Sequence, residues 1–208
     1  WLYEAEDVLK KIKKEHIAPQ NNGLYASAWA DLLIKQNEYK QVIPYLKTAI
    51  ETEKNKKQRA RFNYVMAQLL EKTGDKEGAI EHYSRVIKTS PPYEMDFNAR
   101  ISRVQLLSKN SASVERELKR MARNRNNKDY LDQIYTALGN IFLNEKDSAK
   151  AIEYYNLAIE KSTRNGVEKG VPLVTMGDLY YKKREYVKAH PFYDEAAKIY
   201  TNEYDDFE

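Results

Sequence analysis

The sequence repeats small and large residues at a fixed offset, and this repetition constrains the fold more than any other feature. Residues 138–159 and 176–196 carry small residues at three matching positions and large residues at two. The small residues are Gly139, Ala151 and Ala158 in the first segment, and Gly177, Ala189 and Ala196 in the second. The large residues are Phe142 and Tyr155, then Tyr180 and Tyr193. This pattern predicts paired helices that cross closely at the small residues, with the large ones filling the space between them.

The same register extends over the rest of the chain. Copies begin near residues 23, 60, 95, 132 and 170, so the spacings are 37, 35, 37 and 38 residues. Counting back by 37 places Ala5, Leu9 and Ile12 at positions 20, 24 and 27 of a further copy, where positions are counted from the first residue of each repeat. We therefore expect residues 1–18 to hold the second helix of a truncated repeat, ahead of five full repeats.

The residues between the helices support this interpretation. The chain has only 7 glycines and 6 prolines, which favours helix. Gly74 is expected to adopt the left-handed conformation that ends a helix, and Asp75 to cap the next one. Pro44 and Pro191 fall early in the second helix of their repeats, where we expect a slight bend or a late helix start.

The large–small pair at positions 7 and 8, the large residue at 11, which is aromatic at Phe142 and Tyr180, and the small, large and small residues at 20, 24 and 27 resemble the tetratricopeptide repeat (TPR) family. The resemblance implies an all-α fold, a right-handed α-solenoid (superhelix) of helix–turn–helix repeats. It further implies that residues 1–208 form a single array. In function, it implies a non-catalytic scaffold that holds a protein or peptide in a groove.

In TPR arrays the first helices line the concave face, and the resemblance implies that positions 2, 5, 6, 9, 12 and 13 point into it. Arg61, Arg100 and Arg103 are then available to pair with acidic side chains of a partner, and Tyr64 is an amphipathic anchor. The full set of candidate partner-binding residues is Asp31, Arg61, Tyr64, Gln68, Arg100, Arg103, Thr136, Asn140, Asp178 and Tyr181.

No motif in the sequence indicates catalysis or a cofactor. Cysteine is absent, the three histidines are far apart, and neither a Gly-rich phosphate loop nor a Gly-x-Ser-x-Gly motif occurs. We therefore expect no enzyme activity, no metal and no other cofactor. No apolar run approaches the roughly 18 residues of a membrane-spanning helix. The acidic pair at residues 205 and 206 is expected to belong to a solvated tail.

Charge leaves one alternative open. The net charge is only +4, but basic residues concentrate at 54–61 and 116–128, near the junctions between repeats. If these junctions align along one edge of the array, they form a positive rim for nucleic acid or another polyanion. A solubilising surface accounts for the same residues, so a protein or peptide is the leading partner class.

A narrower resemblance comes from strings that the repeat itself does not require. Residues 57–61, 91–99 and 129–135 resemble SprE/PorW-type TPR lipoproteins of Bacteroidetes, which are associated with type IX secretion and gliding motility. This implies the periplasmic face of the outer membrane, with a lipid anchor outside this sequence; the cytoplasm is the alternative. Because the array opens in mid-repeat, we also expect a flanking region or end-to-end self-packing.

Overall fold

The computed structural model describes residues 1–107, 111–163 and 166–205, and these residues form helices and connecting turns without a strand. Short 3₁₀ segments occur at Lys14–His16, Pro19–Asn21 and Arg125–Tyr130. The α-helices are α1 Leu2–Lys11, α2 Asn22–Lys35, α3 Tyr39–Thr52, α4 Lys56–Thr73, α5 Lys76–Lys88, α6 Tyr93–Leu106, α7 Ser111–Arg123, α8 Leu131–Asn144, α9 Ser148–Lys161, α10 Val167–Lys182 and α11 Tyr186–Asp205.

The chain divides into two units, Trp1–Leu106 and Leu107–Glu208. In the first unit, α2 packs on α3 and α4 packs on α5, around a core that includes Leu46 and Tyr83. In the second unit, α8 packs on α9 and α10 packs on α11, and α8 also contacts α10. Each pair is thus a helical hairpin of a first and a second helix. The single continuous array expected for residues 1–208 stays a prediction.

The small residues lie at helix crossings, as the sequence pattern predicts. A Cβ atom on Gly139 would lie 2.5 Å from the Tyr155 ring, and one on Gly177 would lie 2.7 Å from the Tyr193 ring. Each glycine therefore lets a tyrosine of the second helix pack directly against the backbone of the first. The corresponding alanines are also buried, and they are Ala151, Ala158, Ala189 and Ala196.

Four hairpins share one turn geometry. Position 15 of the repeat has a positive φ of 62° at Asn37, 91° at Gly74, 63° at Lys146 and 61° at Arg184. The next residue then donates its N–H to the carbonyl five residues back, as in Asp75 to Leu70 at 2.8 Å and Asp147 to Phe142 at 2.9 Å. Asp75 also caps α5, because its Oδ1 accepts from the Gly78 N–H at 2.9 Å, so both expectations for this turn are confirmed.

Three helix boundaries bear on the sequence prediction. Of the two alternatives expected at Pro44 and Pro191, the late start is wrong, since α3 begins at Tyr39 and α11 at Tyr186, and the slight bend stays a prediction. Their first turns are already closed by bonds from the Val42 N–H to the Glu38 carbonyl and from the Ala189 N–H to the Glu185 carbonyl. Helix α1 ends at Lys11, short of residue 18, because Ile12 takes an extended conformation.

Candidate partner-binding site

In the first unit, the predicted site residues differ in exposure and in whether their side chains already have a partner within the protein. Arg61 and Gln68 are exposed on α4, and neither side chain has a hydrogen bond or ion pair within the described part of the chain. Asp31 is exposed on α2, but its Oδ2 lies 2.8 Å from Lys35 Nζ. An exposed i,i+4 pair of this kind is weak, so a partner can compete for either charge.

The two other arginines of the predicted cluster are already engaged. Arg100 donates through Nε and Nη2 to the two carboxylate oxygens of Asp96, at 2.7 and 3.2 Å. Arg103 is half-buried and also has an interaction partner inside the protein. Since a bidentate pair holds its guanidinium firmly, Arg61 is the arginine of this cluster that remains available to a partner.

Tyr64, which the sequence predicts as an anchor for a partner, is half-buried rather than exposed. Its ring meets that of Tyr83 edge-on, with the centroids 5.8 Å apart. Burial raises the pKa of the Tyr64 hydroxyl, with smaller contributions from Glu71 and Glu94. The hydroxyl therefore stays protonated at neutral pH and retains its capacity to donate.

A groove of about 880 Å³ in the first unit was not predicted from the sequence. It lies where the start of α2, the end of α3 and the start of α4 meet, and the apolar part of its wall includes Leu24, Ala49 and Phe62. Leu24 is 73% exposed. Leu24 is at position 2 of its repeat, which is one of the positions implied for the concave face. An apolar residue at such a position was the feature of the sequence that could have predicted the groove.

The walls of this groove also carry charge of both signs. The charged lining residues are Glu51, Glu53, Lys54 and Arg59. Arg59 donates through Nη1 to the Glu53 carbonyl at 3.3 Å, which holds its side chain across the α3–α4 turn. Arg61 follows two residues later on α4, next to the lining residue Phe62. The groove thus combines an apolar surface with charged lining residues of both signs.

In the second unit, the two position-9 residues serve the fold directly. Asn140 Oδ1 accepts from the Tyr155 hydroxyl at 2.7 Å, and Asp178 Oδ1 accepts from the Tyr193 hydroxyl at 2.6 Å. Both bonds link a first helix to the second helix of the same hairpin. A partner that engages Asn140 or Asp178 must share or displace these bonds.

The remaining two predicted residues lie in opposite environments. Thr136 is buried, and its Oγ1 has no hydrogen-bond partner among the described residues. A partner side chain therefore has little access to it. Tyr181 is exposed on α10, and its ring meets that of Tyr186 edge-on at 5.2 Å between centroids, so it presents an aromatic surface to solvent.

The basic runs lie on exposed surface in their own units. Lys54, Lys56 and Lys57 are exposed in the first unit, as are Arg120 and Arg123 in the second. Buried tyrosines such as Tyr83 and Tyr155 pack in helix crossings, so they are not free to stack on bases. Residue 206 of the acidic pair lies outside the described residues.

Two features are absent from the described residues. These residues contain no cluster of three or more His, Cys, Asp or Glu side chains suited to a metal ion. No helix within them combines the length and apolar character needed to cross a bilayer.

The described helical hairpins define an all-helical repeat protein, and similarity to known proteins identifies its family. The fold is shared with solved all-helical repeat structures, and the family model described as tetratricopeptide repeat matches residues 19–169. Because this match covers most of the 208 residues, the chain belongs to the TPR family. Proteins of this family are in general non-catalytic scaffolds for protein or peptide binding. None of the curated proteins matches the sequence.

Three solved structures illustrate the similarity. MamA (41-end) from Desulfovibrio magneticus RS-1 is 17% identical with a TM-score of 0.59, over 88% of this chain and 97% of that one. BtubC from P. vanneervenii is 15% identical with a TM-score of 0.60, over 97% and 87%. The Rap protein complexed with Competence and Sporulation Factor is 17% identical with a TM-score of 0.68, over 97% of this chain and 60% of that one. The expected fold class, an all-α TPR solenoid, is thereby confirmed.

Proposed function

We propose that this protein binds a segment of another protein on the first-helix side of the first unit, with the groove beside Leu24 as the main contact. The observation that carries the proposal is the groove itself, which joins an exposed leucine to mixed charges and is lined by Phe62, the residue that follows the exposed Arg61 on α4. A solved relative, the Rap protein, is described in complex with a factor. That description supports ligand binding by this fold and identifies no ligand for this chain.

The lining predicts the chemistry of the bound segment. An apolar side chain would cover Leu24 and Phe62, because removing their surface from water is favourable by roughly 25 cal/mol per Å². An acidic side chain nearby would pair with Arg61, which has no internal partner among the described residues. The bound segment is therefore expected to place an acidic residue close to an apolar anchor.

Two substitutions test this site. Leu24→Asp removes the apolar contact and Arg61→Glu reverses the free charge, and both residues are exposed, so each variant should keep wild-type helicity and melting temperature. Capture of partners from the cells that make the protein should fall at least several-fold for both variants. The matched controls are Val187→Asp on α11, at a residue that is 89% exposed, and Arg120→Glu on α7.

The outcome separates the proposal from polyanion binding. Loss of capture in the Leu24 and Arg61 variants, with the controls unchanged, supports the groove. Equal capture by Leu24→Asp and wild type would reject it. If only Arg120→Glu loses binding, and the loss concerns nucleic acid in a strongly salt-dependent way, then the basic run of the second unit is the binding surface instead.

Arg100→Glu is a useful contrast to Arg61→Glu. It turns the bidentate pair with Asp96 into a repulsive contact between two half-buried carboxylates, so it should lower the melting temperature. Arg61→Glu should not. Weakened capture by Arg100→Glu is evidence for direct contact only if the variant remains folded.

We further propose that the protein is an assembly component of a bacterial envelope machinery for secretion and gliding, on the periplasmic face of the outer membrane. The support is the resemblance of residues 57–61, 91–99 and 129–135 to SprE/PorW-type lipoproteins. Fractionation of the native cells, followed by protease treatment of intact and of outer-membrane-permeabilised cells, tests the location. Recovery in the cytoplasmic fraction, with cytoplasmic partners only, would reject this role and leave the groove proposal standing.

A further inference from the structure

Helix α1 presents a second-helix surface that, within the described residues, no first helix of its own repeat covers. By the repeat register, Ala5 and Leu9 occupy positions 20 and 24, yet α1 contains no buried residue. The same positions are buried in the other second helices of this unit, at Val42 and Leu46 and at Ala79 and Tyr83. The difference arises because α2 covers α3 and α4 covers α5, whereas the main contacts of α1 in the described residues are with α2, the first helix of the next repeat.

The uncovered surface is one wall of an apolar groove of about 490 Å³ between α1 and α2. The α1 wall includes Trp1, Ala5 and Val8, and the α2 wall includes Ala28 and Leu32. Trp1 is 89% exposed and Val8 is 60% exposed. An open apolar surface of this kind is a marker of an interaction site.

The second unit shows what shape of partner fits such a groove. There the first helix α8 contacts both its own second helix, α9, and the next first helix, α10. A helix in the equivalent place beside α1 would contact α1 as α8 contacts α9, and α2 as α8 contacts α10. The walls of the groove are those two helices.

We propose that the groove between α1 and α2 binds an amphipathic helix from outside these 208 residues, with the residue pattern of a TPR first helix. Its small position-8 residue would cross α1 near Leu9, as Gly139 crosses Tyr155 in the second unit. A second folded copy is a poor source of this helix as far as α2, α4, α8 and α10 are concerned, because each of them is covered by its own second helix. The occupant that fits the groove is a segment with no second helix of its own, and self-association of the chain is an outcome of the test below.

A synthetic peptide copying residues 55–74 is a suitable probe. It keeps the Asn55 cap, whose side chain accepts from the Lys57 and Gln58 N–H groups, and the left-handed Gly74 that ends α4. It also keeps the large–small pair Met66 and Ala67, and it contains no tryptophan. The matched control is the same peptide with Ala67→Arg, which blocks close approach of the two helices.

Trp1 reports binding directly, because it lines the groove while Trp29 is buried elsewhere in the core. The 208-residue chain should show a saturable blue shift of tryptophan emission with the probe and none with the Ala67→Arg peptide. Val8→Asp and Ala28→Arg alter opposite walls at exposed residues, and each should weaken binding by about tenfold or more. Val187→Asp, at an exposed valine of α11, should bind like wild type.

Three results would overturn the inference. The first is no saturable shift with the probe, and the second is equal affinity for wild type and both wall variants, which would locate the peptide elsewhere. The third is self-association of the wild-type protein in sedimentation that Val8→Asp abolishes, which would assign the groove to a second copy. None of these results bears on the Leu24 groove.

Discussion

Tyr155 occupies the space that a side chain at Gly139 would need. A Cβ atom on Gly139 would lie 2.5, 2.7 and 2.9 Å from three atoms of the Tyr155 ring. The ring is fully buried, and its hydroxyl donates to Asn140, the residue after the glycine. One tyrosine therefore both fills the helix crossing and fixes its register.

Gly139→Ala should destabilise the protein, although alanine is favoured over glycine inside a helix by about 1 kcal/mol. The new methyl group forces the ring away, at an overpacking cost of about 1–3 kcal/mol. The hairpin that contains Ala67 and Tyr83 already has alanine at the position of Gly139. There the Tyr83 hydroxyl donates to Glu71, one helical turn beyond the position of Asn140. Helix α8 has the apolar Leu143 at the position of Glu71, so Tyr155 has no such acceptor if its ring moves. Urea unfolding measures the change.

The double variant Gly139→Ala/Tyr155→Leu recreates the Ala30 and Leu46 pair of the first hairpin. It should be less destabilised than the sum of its single variants, because leucine leaves room for the methyl group. Additive losses would contradict a direct clash between the two residues.

Two hydrogen-bonded tyrosines, Tyr155 and Tyr193, predict loss of stability at high pH. Burial raises the pKa of Tyr155 to about 12, and the hydrogen bond to Asp178, with burial, raises that of Tyr193 to about 12. Unfolded tyrosine ionises near 10. The unfolded state therefore loses these protons first, so stability is full below about pH 10 and falls as the pH rises towards 12.

Tyr155→Phe should flatten this alkaline decline, even though it lowers stability at neutral pH by about 0.5–1.5 kcal/mol through the lost hydrogen bond. Unfolding at several pH values measures both effects. Tyr3 is a suitable control, because its side chain is exposed, and Tyr3→Phe should leave the profile unchanged.

His82 predicts a second pH dependence, on the acidic side. Its Nδ1 lies 2.9 Å from the Asn63 side-chain oxygen. Burial lowers the pKa of His82 below 6.5, helped by the positive charge of Arg85 and opposed by Glu81 and Asp75. The unfolded state binds the proton more readily, so the contribution of His82 is present above pH 6.5 and is lost as the pH falls below it.

His82→Gln should therefore reduce the slope of stability below about pH 6.5. His190→Gln is the control, because His190 is exposed on α11, and it should keep the wild-type slope. Identical slopes for His82→Gln and wild type would show that other groups cause any acidic loss.

A buried carboxylate makes Ser162 important for stability. Asp132 is buried; its Oδ2 accepts from the Ser162 hydroxyl at 2.8 Å and its Oδ1 from the Gln133 N–H at 2.8 Å. Ser162→Ala removes one donor from a buried acid and should cost about 1–3 kcal/mol. In the Asp132→Ala background the same change should cost much less, and a double-mutant cycle from urea unfolding tests this.

The left-handed turn residues offer stabilising substitutions. Lys146 and Arg184 have φ near +60°, which costs a side chain about 1–2 kcal/mol. Glycine removes this strain but gains freedom in the unfolded chain, so Lys146→Gly should stabilise by about 0.5–1 kcal/mol. Gly74→Ala should destabilise by a similar amount, and opposite signs for the two variants in urea unfolding are the expected result.

The periodic features of the fold could be predicted from the sequence, whereas the state of individual site residues could not. Gly139 and Ala151 revealed the crossings because close packing permits only small residues there. Thr136 shares the position implied for groove contact with Ser27 and Tyr64, yet it is buried. Repeat position alone does not determine how neighbouring side chains cover a residue.

The Arg100 ion pair could be predicted from the sequence, whereas the Leu24 groove could not. Asp96 and Arg100 are four residues apart on one helix, so their pairing was readable from spacing. The groove needs three chain segments to meet, at the ends of α3 and the starts of α2 and α4. No periodic pattern within one repeat specifies that meeting point.

The turns of two or three residues between paired helices have a consequence for biosynthesis. Each of the hairpins α2–α3, α4–α5, α8–α9 and α10–α11 is closed by contacts between residues near in sequence, and such contacts form quickly. A chain emerging from the ribosome can therefore complete α2 and α3 while α10 and α11 are still untranslated. Translation order would then set the order of assembly, from the amino terminus onward.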